Sequence, residues 1–338
     1  MELKGSWMEV KSQETTGSPV SATKSVAGLL RNLIDYAGLF PPASLGMAPA
    51  LANYYLYSRS EFGWMLGRFI VPAARLGEFE AVLVRLPDSG AQSQSRCGVS
   101  ALLGTDVSAD LASVYDFNAR EAAGRAPNKW KIESVEVRGT SPAEIGRISG
   151  IIPAELETYF EIPWDCGTKT GETTSSEAAA GALSDCVAAA GSCGQRAKIR
   201  TGGETADKFP APESVIEFIR RCAAAGVSFK ATAGLHHPLR SMHRLTYRPD
   251  SPSGIMHGFL NVFLAAAFVR TGMETGLAVK LLKEQAAEGF HWGSDEVIWR
   301  GHRLSARDLS LARRDFAVSF GSCSFTEPIE DLRSLHLL

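Results

Sequence analysis

The sequence predicts an α/β fold, a (β/α)8 TIM-like barrel. Three observations predict it. Eight strand candidates alternate with helical stretches along the chain. Two of those strands, around Lys198 and Lys230, are joined by a single helix, and a strand–helix–strand unit forces parallel pairing through a crossover. The 338 residues suit one such barrel with additions. An open, doubly wound α/β sheet is the alternative.

The elements follow in order. Residues 1–23 are polar and rich in Ser, Thr, Lys and Glu, and read as a disordered tail. Residues 24–338 read as a single barrel domain. Residues 26–34 form an amphipathic helix or lead-in, and 35–42 a first strand ending in a rigid Pro41-Pro42 turn. A helix at 48–57 precedes the second strand at 68–73, with another helix at 77–86. The Ser- and Gln-containing segment 87–96 is a loop. Strand three at 99–105 is followed by helix 109–124. Strand four at 130–138 is followed by helix 142–151, with Ser141 as its N-cap. Strand five spans 156–163. A Gly- and Thr-rich loop then leads into an alanine-rich helix at 175–190. The two lysine strands come sixth and seventh, with the amphipathic helix 212–226 between them and Gly226 as its stop. Residues 254–270 form a long apolar helix and 275–288 another. Residues 289–305 read as a hairpin insertion before the last strand. Helix 306–315, an eighth strand and loop at 316–325 and helix 327–335 close the chain.

Composition narrows the function. The chain is 45% hydrophobic and 21% charged, with a net charge of −2, so no basic field favours nucleic acid. No apolar run reaches membrane-spanning length, and the N-terminus has no apolar signal core, so a cytoplasmic protein is expected. The six cysteines form no CxxC pair and read as reduced thiols. Neither GxGxxG after an early strand nor GxxxxGK[ST] is present, so no cofactor is called for. Tyr54, Tyr55, Tyr57, Phe62 and Trp64 read as core or as a subunit interface, which allows a homo-oligomer.

In a barrel, chemistry sits at the C-terminal ends of strands. That gives weight to Asp35, Glu136, Arg138, Glu161, Asp165 and the ends of the lysine strands. Side chains alternate along a strand, so Lys198 and Arg200 share a face, as do Lys230 and Thr232. Two inward lysines on adjacent strands need an explanation, because buried lysine is rare and costly. A second cation and desolvation lower a lysine's proton affinity and free its lone pair to attack a carbonyl. Paired carboxylates would instead make the lysines structural. Arg200 is suited to an anionic group or to a bridge with Glu161. Gly202 and Gly203 let backbone amides approach an anion.

Lys198-Ile199-Arg200-Thr201-Gly202 resembles the K-x-x-T-G strand of deoxyribose-phosphate aldolases, whose lysine forms a Schiff base. Lys230-Ala231-Thr232-Ala233-Gly234-Leu235 resembles the K-A-S-G-G-I strand that follows it, whose lysine perturbs the first. Gly321-Ser322-Cys323-Ser324 loosely resembles that family's G-T-S-S phosphate turn. The resemblance implies a class I aldolase-like lyase with Lys198 as Schiff-base lysine and Lys230 as its helper. Thr201, Gly202, Gly203, Thr232, Gly234, Gly321, Ser322 and Ser324 would then lie around a small anionic carbonyl metabolite. The sequence departs from the family at Arg200, which replaces a small residue, and at His236-His237. No aspartate matches the family's catalytic one; Glu136 or Glu161 would substitute for it.

Two rival readings use the same barrel. His236 or His237 with His257 and Glu161 would make a metal-dependent hydrolase, although no HxH or HExxH spacing supports it. His236 or His237 is better suited to a substrate hydrogen bond or general acid role. His257 and Asn261, four apart on the helix expected at 254–270, would share a face. The other rival is a non-catalytic barrel that binds an anionic metabolite.

Overall fold

A computed structural model of the chain describes residues 22–85, 97–122, 130–164 and 176–338. The expected tail up to residue 21, the loop at 87–96, the Gly- and Thr-rich loop after strand five, Asp165 and Cys166 lie outside these residues.

Eight parallel strands close into a barrel. In chain order the first seven are β1 (Ile34–Tyr36), β2 (Leu66–Pro72), β3 (Cys97–Leu102), β4 (Trp130–Arg138), β5 (Glu157–Glu161), β6 (Arg196–Arg200) and β7 (Phe229–Thr232). An antiparallel pair, β8 (Ser241–Arg244) and β9 (Ser253–Met256), follows β7. A three-stranded antiparallel sheet, β10 (Phe290–Trp292), β11 (Glu296–Trp299) and β12 (His302–Ser305), comes next. The final barrel strand is β13 (Ala317–Ser322), which pairs with both β1 and β7. The barrel order is β1-β13-β7-β6-β5-β4-β3-β2, and β1–β2 pairing completes the ring. This is the (β/α)8 architecture, with helices between the strands.

The helices form where apolar residues recur at helical spacing and a capping residue is at hand. Thr23 caps the first helix, Lys24–Leu30, through a bond from the Val26 amide. That start lies two residues before the one expected from periodicity. Ser141 caps Pro142–Ser149 and accepts from the Glu144 amide. Pro212–Ala225 buries Val215, Ile216, Phe218, Ile219 and Cys222 against the barrel and ends at Gly226, whose φ of 66° is the left-handed stop that glycine permits. Phe218 meets Phe229, on the outer face of β7, edge to face. Tyr54 is core, packed against Phe69 and Trp130.

Two expectations are corrected. The apolar helix begins at Phe259, with Gly258 as its N-cap, so His257 precedes it and does not share a helical face with Asn261. The segment expected to be its first turn is β9. The insertion before the last strand is a three-stranded meander rather than a two-stranded hairpin. Among the described residues no helix is long and apolar enough to cross a membrane. Cys97, Cys193, Cys222 and Cys323 are free thiols.

Candidate active site

TIM barrels usually fill their centre with branched apolar side chains. Here the centre is ionic. Alternation along β5 points Glu157, Tyr159 and Glu161 inward, and along β6 it does the same for Arg196, Lys198 and Arg200. In register, Glu161 stands beside Lys198, and Lys198 beside Lys230. Between β3 and β4 the register shifts, so that Val99 pairs with Ile132 and Ser100 with Ser134. Glu133 is the extra residue of this bulge. The shift lets β4 present Glu133 below and Ser134 and Glu136 above.

The side chains form a continuous chain of contacts. Lys230 Nζ lies 2.6 Å from Asp35 Oδ2 and 2.7 Å from Glu136 Oε1. Lys198 Nζ lies 2.7 Å from Glu136 Oε2 and 2.8 Å from Glu161 Oε2. Arg200 reaches Glu161 Oε1 at 3.3 Å. Ser134 donates to Ser100, which donates to Glu136 Oε1. Ser319 Oγ and the Arg68 amide donate to Asp35. One layer down, Arg68 and Arg196 bind Glu157, and Arg196 also donates to the Tyr159 hydroxyl. Among the described residues, Ser149 Oγ is the sole buried side-chain N or O atom without a partner, so the barrel interior is fully satisfied.

The electrostatics follow from this geometry. Burial pushes the Glu136 carboxyl up, but the two ammonium groups outweigh burial and hold it below the usual carboxylate range. Glu161 is likewise pushed up by burial and held down by Lys198 and Arg200. Burial disfavours the Lys230 ammonium, yet Asp35 and Glu136 more than offset that and raise its proton affinity. This corrects the expected picture of two cations facing each other. Glu136 lies between them, and each lysine also has a carboxylate of its own.

The lysines differ in access. Lys230 is fully buried, its Nζ over the Tyr159 ring and 5.3 Å from the ring centroid. Lys198 lines a cavity of about 610 Å³ at the C-terminal mouth of the barrel. Glu136, Glu161, Arg138, Arg200, Gly203, Lys208, Thr232, Gly234, His236, Gly321 and Cys323 line it too. A second cavity of about 830 Å³ opens at the opposite mouth, around Arg68, Glu133, Glu157, Arg196 and Arg313. The smaller one is the candidate site: it lies where barrel chemistry sits, and Lys198 opens onto it.

Other expected site residues hold the cavity's shape without lining it. Thr201 Oγ1 donates to the Ala233 carbonyl at 2.7 Å and ties the end of β6 to that of β7. A Cβ at Gly202 would stand 2.8 Å from Gly234 Cα and 2.6 Å from Phe209, so this glycine serves close packing. Ser322 accepts from the Ser324 amide, and Ser324 accepts from the Glu327 amide at the start of the last helix, Thr326–Ser334. His237 turns away from the cavity, bonded to Asp331 at 2.6 Å and stacked on His243.

The histidines do not converge. His257 Nε2 bonds the Pro210 carbonyl at 2.8 Å, and burial lowers its pKa to about 4. Among the described residues no group of three His, Cys, Asp or Glu side chains is placed to hold a metal ion. The metal set of His236, His237 and His257 is therefore not assembled.

Sequence reasoning missed the groups around His236. Its Nδ1 lies 3.0 Å from Glu327 Oε2, and Cys323 Sγ is 4.0 Å from its Nε2. Tyr247, on the connection between β8 and β9, donates to the same Glu327 oxygen at 2.9 Å. No local signal links these four residues, because three elements separated along the chain bring them together. Ser100, Ser134 and Ser319 were also missed, although Ser100 and Ser319 are polar residues inside largely apolar strands.

No protein-family model matches the chain, and no curated protein matches it. The fold and the site therefore carry the functional argument by themselves.

Proposed function

We propose that the protein is an aldolase-like lyase that binds a small anionic carbonyl compound and forms a Schiff base through Lys198. One observation carries this reading: the Lys198 amine lies at the cavity wall between two carboxylates, while Lys230 beside it is sealed from the cavity. Lys198 is itself only 3% exposed, but it is the one of the two lysines that lines the cavity, and its amine is therefore the one placed to bond a carbonyl carbon. Glu161, nearer the cavity mouth, suits the proton transfers: it takes a proton from Lys198 to free the lone pair and returns one as water leaves the carbinolamine. Glu136, braced by two ammonium groups, keeps its charge and stabilises the iminium that results. Arg138, Arg200 and Lys208 at the rim, with the Gly203 backbone, favour an anionic substrate group.

A second reading, a non-catalytic barrel that binds an anionic metabolite, is favoured by the complete pairing of both lysines. Borohydride reduction separates the two. With small aldehydes, ketones and 2-oxo acids, the enzyme should gain the mass of a reduced adduct, mapped by peptide mass to Lys198. Lys198→Leu should give none at any pH. That variant leaves Glu136 with Lys230 and Glu161 with Arg200, so no carboxylate is left unpaired. Absence of an adduct in the wild type across this set would leave the lysines as structural ion pairs and favour the binding reading.

A further inference from the structure

The cavity that exposes Lys198 has a second chemical wall. Cys323 and His236 both line it, and neither belongs to the ionic network. Cys323 follows the last residue of β13, and His236 lies just past β7; both are largely buried. Glu327, on the last helix, binds His236 Nδ1 at 3.0 Å, which turns Nε2 toward Cys323 Sγ, 4.0 Å away. The Tyr247 hydroxyl bridges Glu327, at 2.9 Å, and Sγ, at 3.7 Å. A thiol facing an imidazole whose far nitrogen is held by a carboxylate is the arrangement that activates a cysteine nucleophile, and such contacts are often loose before a ligand binds.

We infer that Cys323 is a nucleophile toward aldehydes, activated by His236, with Glu327 and Tyr247 as positioning residues. One proton is shared between Sγ and Nε2. When it resides on nitrogen, the sulfur bonds the carbonyl carbon, the C=O π electrons move to oxygen, and the Nε2 proton follows them there. The product is a thiohemiacetal; no group leaves and nothing is oxidised or reduced. Burial works against a charged His236, but its bonds to Cys323 and Glu327 outweigh burial and lift its pKa to about 9. Tyr36 on β1 also faces Cys323, His237, His243 and Asp331 lie beside His236, and Glu161, Lys198 and Arg200 stand across the cavity. This inference does not depend on Schiff-base formation at Lys198.

Iodoacetamide alkylation, timed by peptide mass, tests it, with the exposed thiol of Cys193 as internal reference. The Cys323 rate should vary less between pH 6 and 8 than the Cys193 rate. His236→Gln should slow Cys323 at pH 7 by about tenfold or more and leave Cys193 unchanged. Tyr247→Phe, at a half-exposed position that threatens folding less, should slow Cys323 by a smaller factor. Propanal should protect Cys323 reversibly, in Lys198→Leu as well as in the wild type. A Cys323-to-Cys193 rate ratio that stays constant with pH and across the variants would overturn the inference. Alkylation of Cys323 only after unfolding, or loss of propanal protection in Lys198→Leu, would also overturn it.

Discussion

Glu136 accepts from two ammonium groups and a serine hydroxyl while almost fully buried. Such a carboxylate is tolerable only while its cations are in place, because a buried charge without a partner costs several kcal/mol. Lys230→Met removes the shared cation. Asp35 then keeps only its Ser319 and Arg68 amide bonds, and Glu136 keeps only Lys198 as a cation. The variant should be about 3–5 kcal/mol less stable in urea unfolding; a loss under about 1 kcal/mol would contradict the buried network. Glu136 should also grip Lys198 more tightly, so the borohydride-trapped adduct should fall at neutral pH and recover as pH rises. At this scale the sequence was informative on one point. Lys198 and Arg200, charges at i and i+2 in one strand, mark an inward face. It did not reveal Asp35 as the partner of Lys230, because that contact arises only when β13 closes the barrel between β1 and β7.

Elements with a strong local pattern were legible almost to the residue. Strand β4 matches its expected range, as does the helix Ala306–Asp315. The β8–β9 pair was not legible: its strands lie half-exposed, so no apolar stripe marks them, and the adjoining apolar run of the next helix absorbed β9. That pair matters, because the connection between its strands carries Tyr247 to the cavity rim. The ends of β6 and β7 depend on a close approach of two glycines. Gly234 has a φ of 74°, and a Cβ there would stand 2.8 Å from Gly202 Cα. Gly234→Ala therefore combines left-handed strain with a backbone clash. It should destabilise by roughly 2–4 kcal/mol and lower the trapped adduct yield by displacing the strand ends that frame the cavity. A variant with wild-type melting temperature and adduct yield would show that the two turns yield freely.

Across the whole molecule, a barrel centred on charge should depend on pH in a way that an apolar barrel does not. Glu136, Glu157 and Glu161 are held below the ordinary carboxylate range. The stability they contribute is therefore present above an unfolded value of about 4.3 and is lost as pH falls through their lower folded values. Lys230 is raised, so its contribution is full below about 10.4 and is lost at more alkaline pH. His236 acts between these limits. Burial works against its charge, and its bonds to Cys323 and Glu327 raise its pKa to about 9. With one proton serving Nε2 and Sγ together, the folded pair binds the same number of protons as an unfolded neutral imidazole and thiol, so it adds no slope between about pH 6.5 and 8.5. The urea-unfolding free energy should accordingly be level across that interval. A steady decline through it would mean that the imidazole is charged while Cys323 keeps its own proton, and would count against the shared proton. An acid limb no steeper than that of an apolar barrel would count in the same way against the carboxylates at its centre.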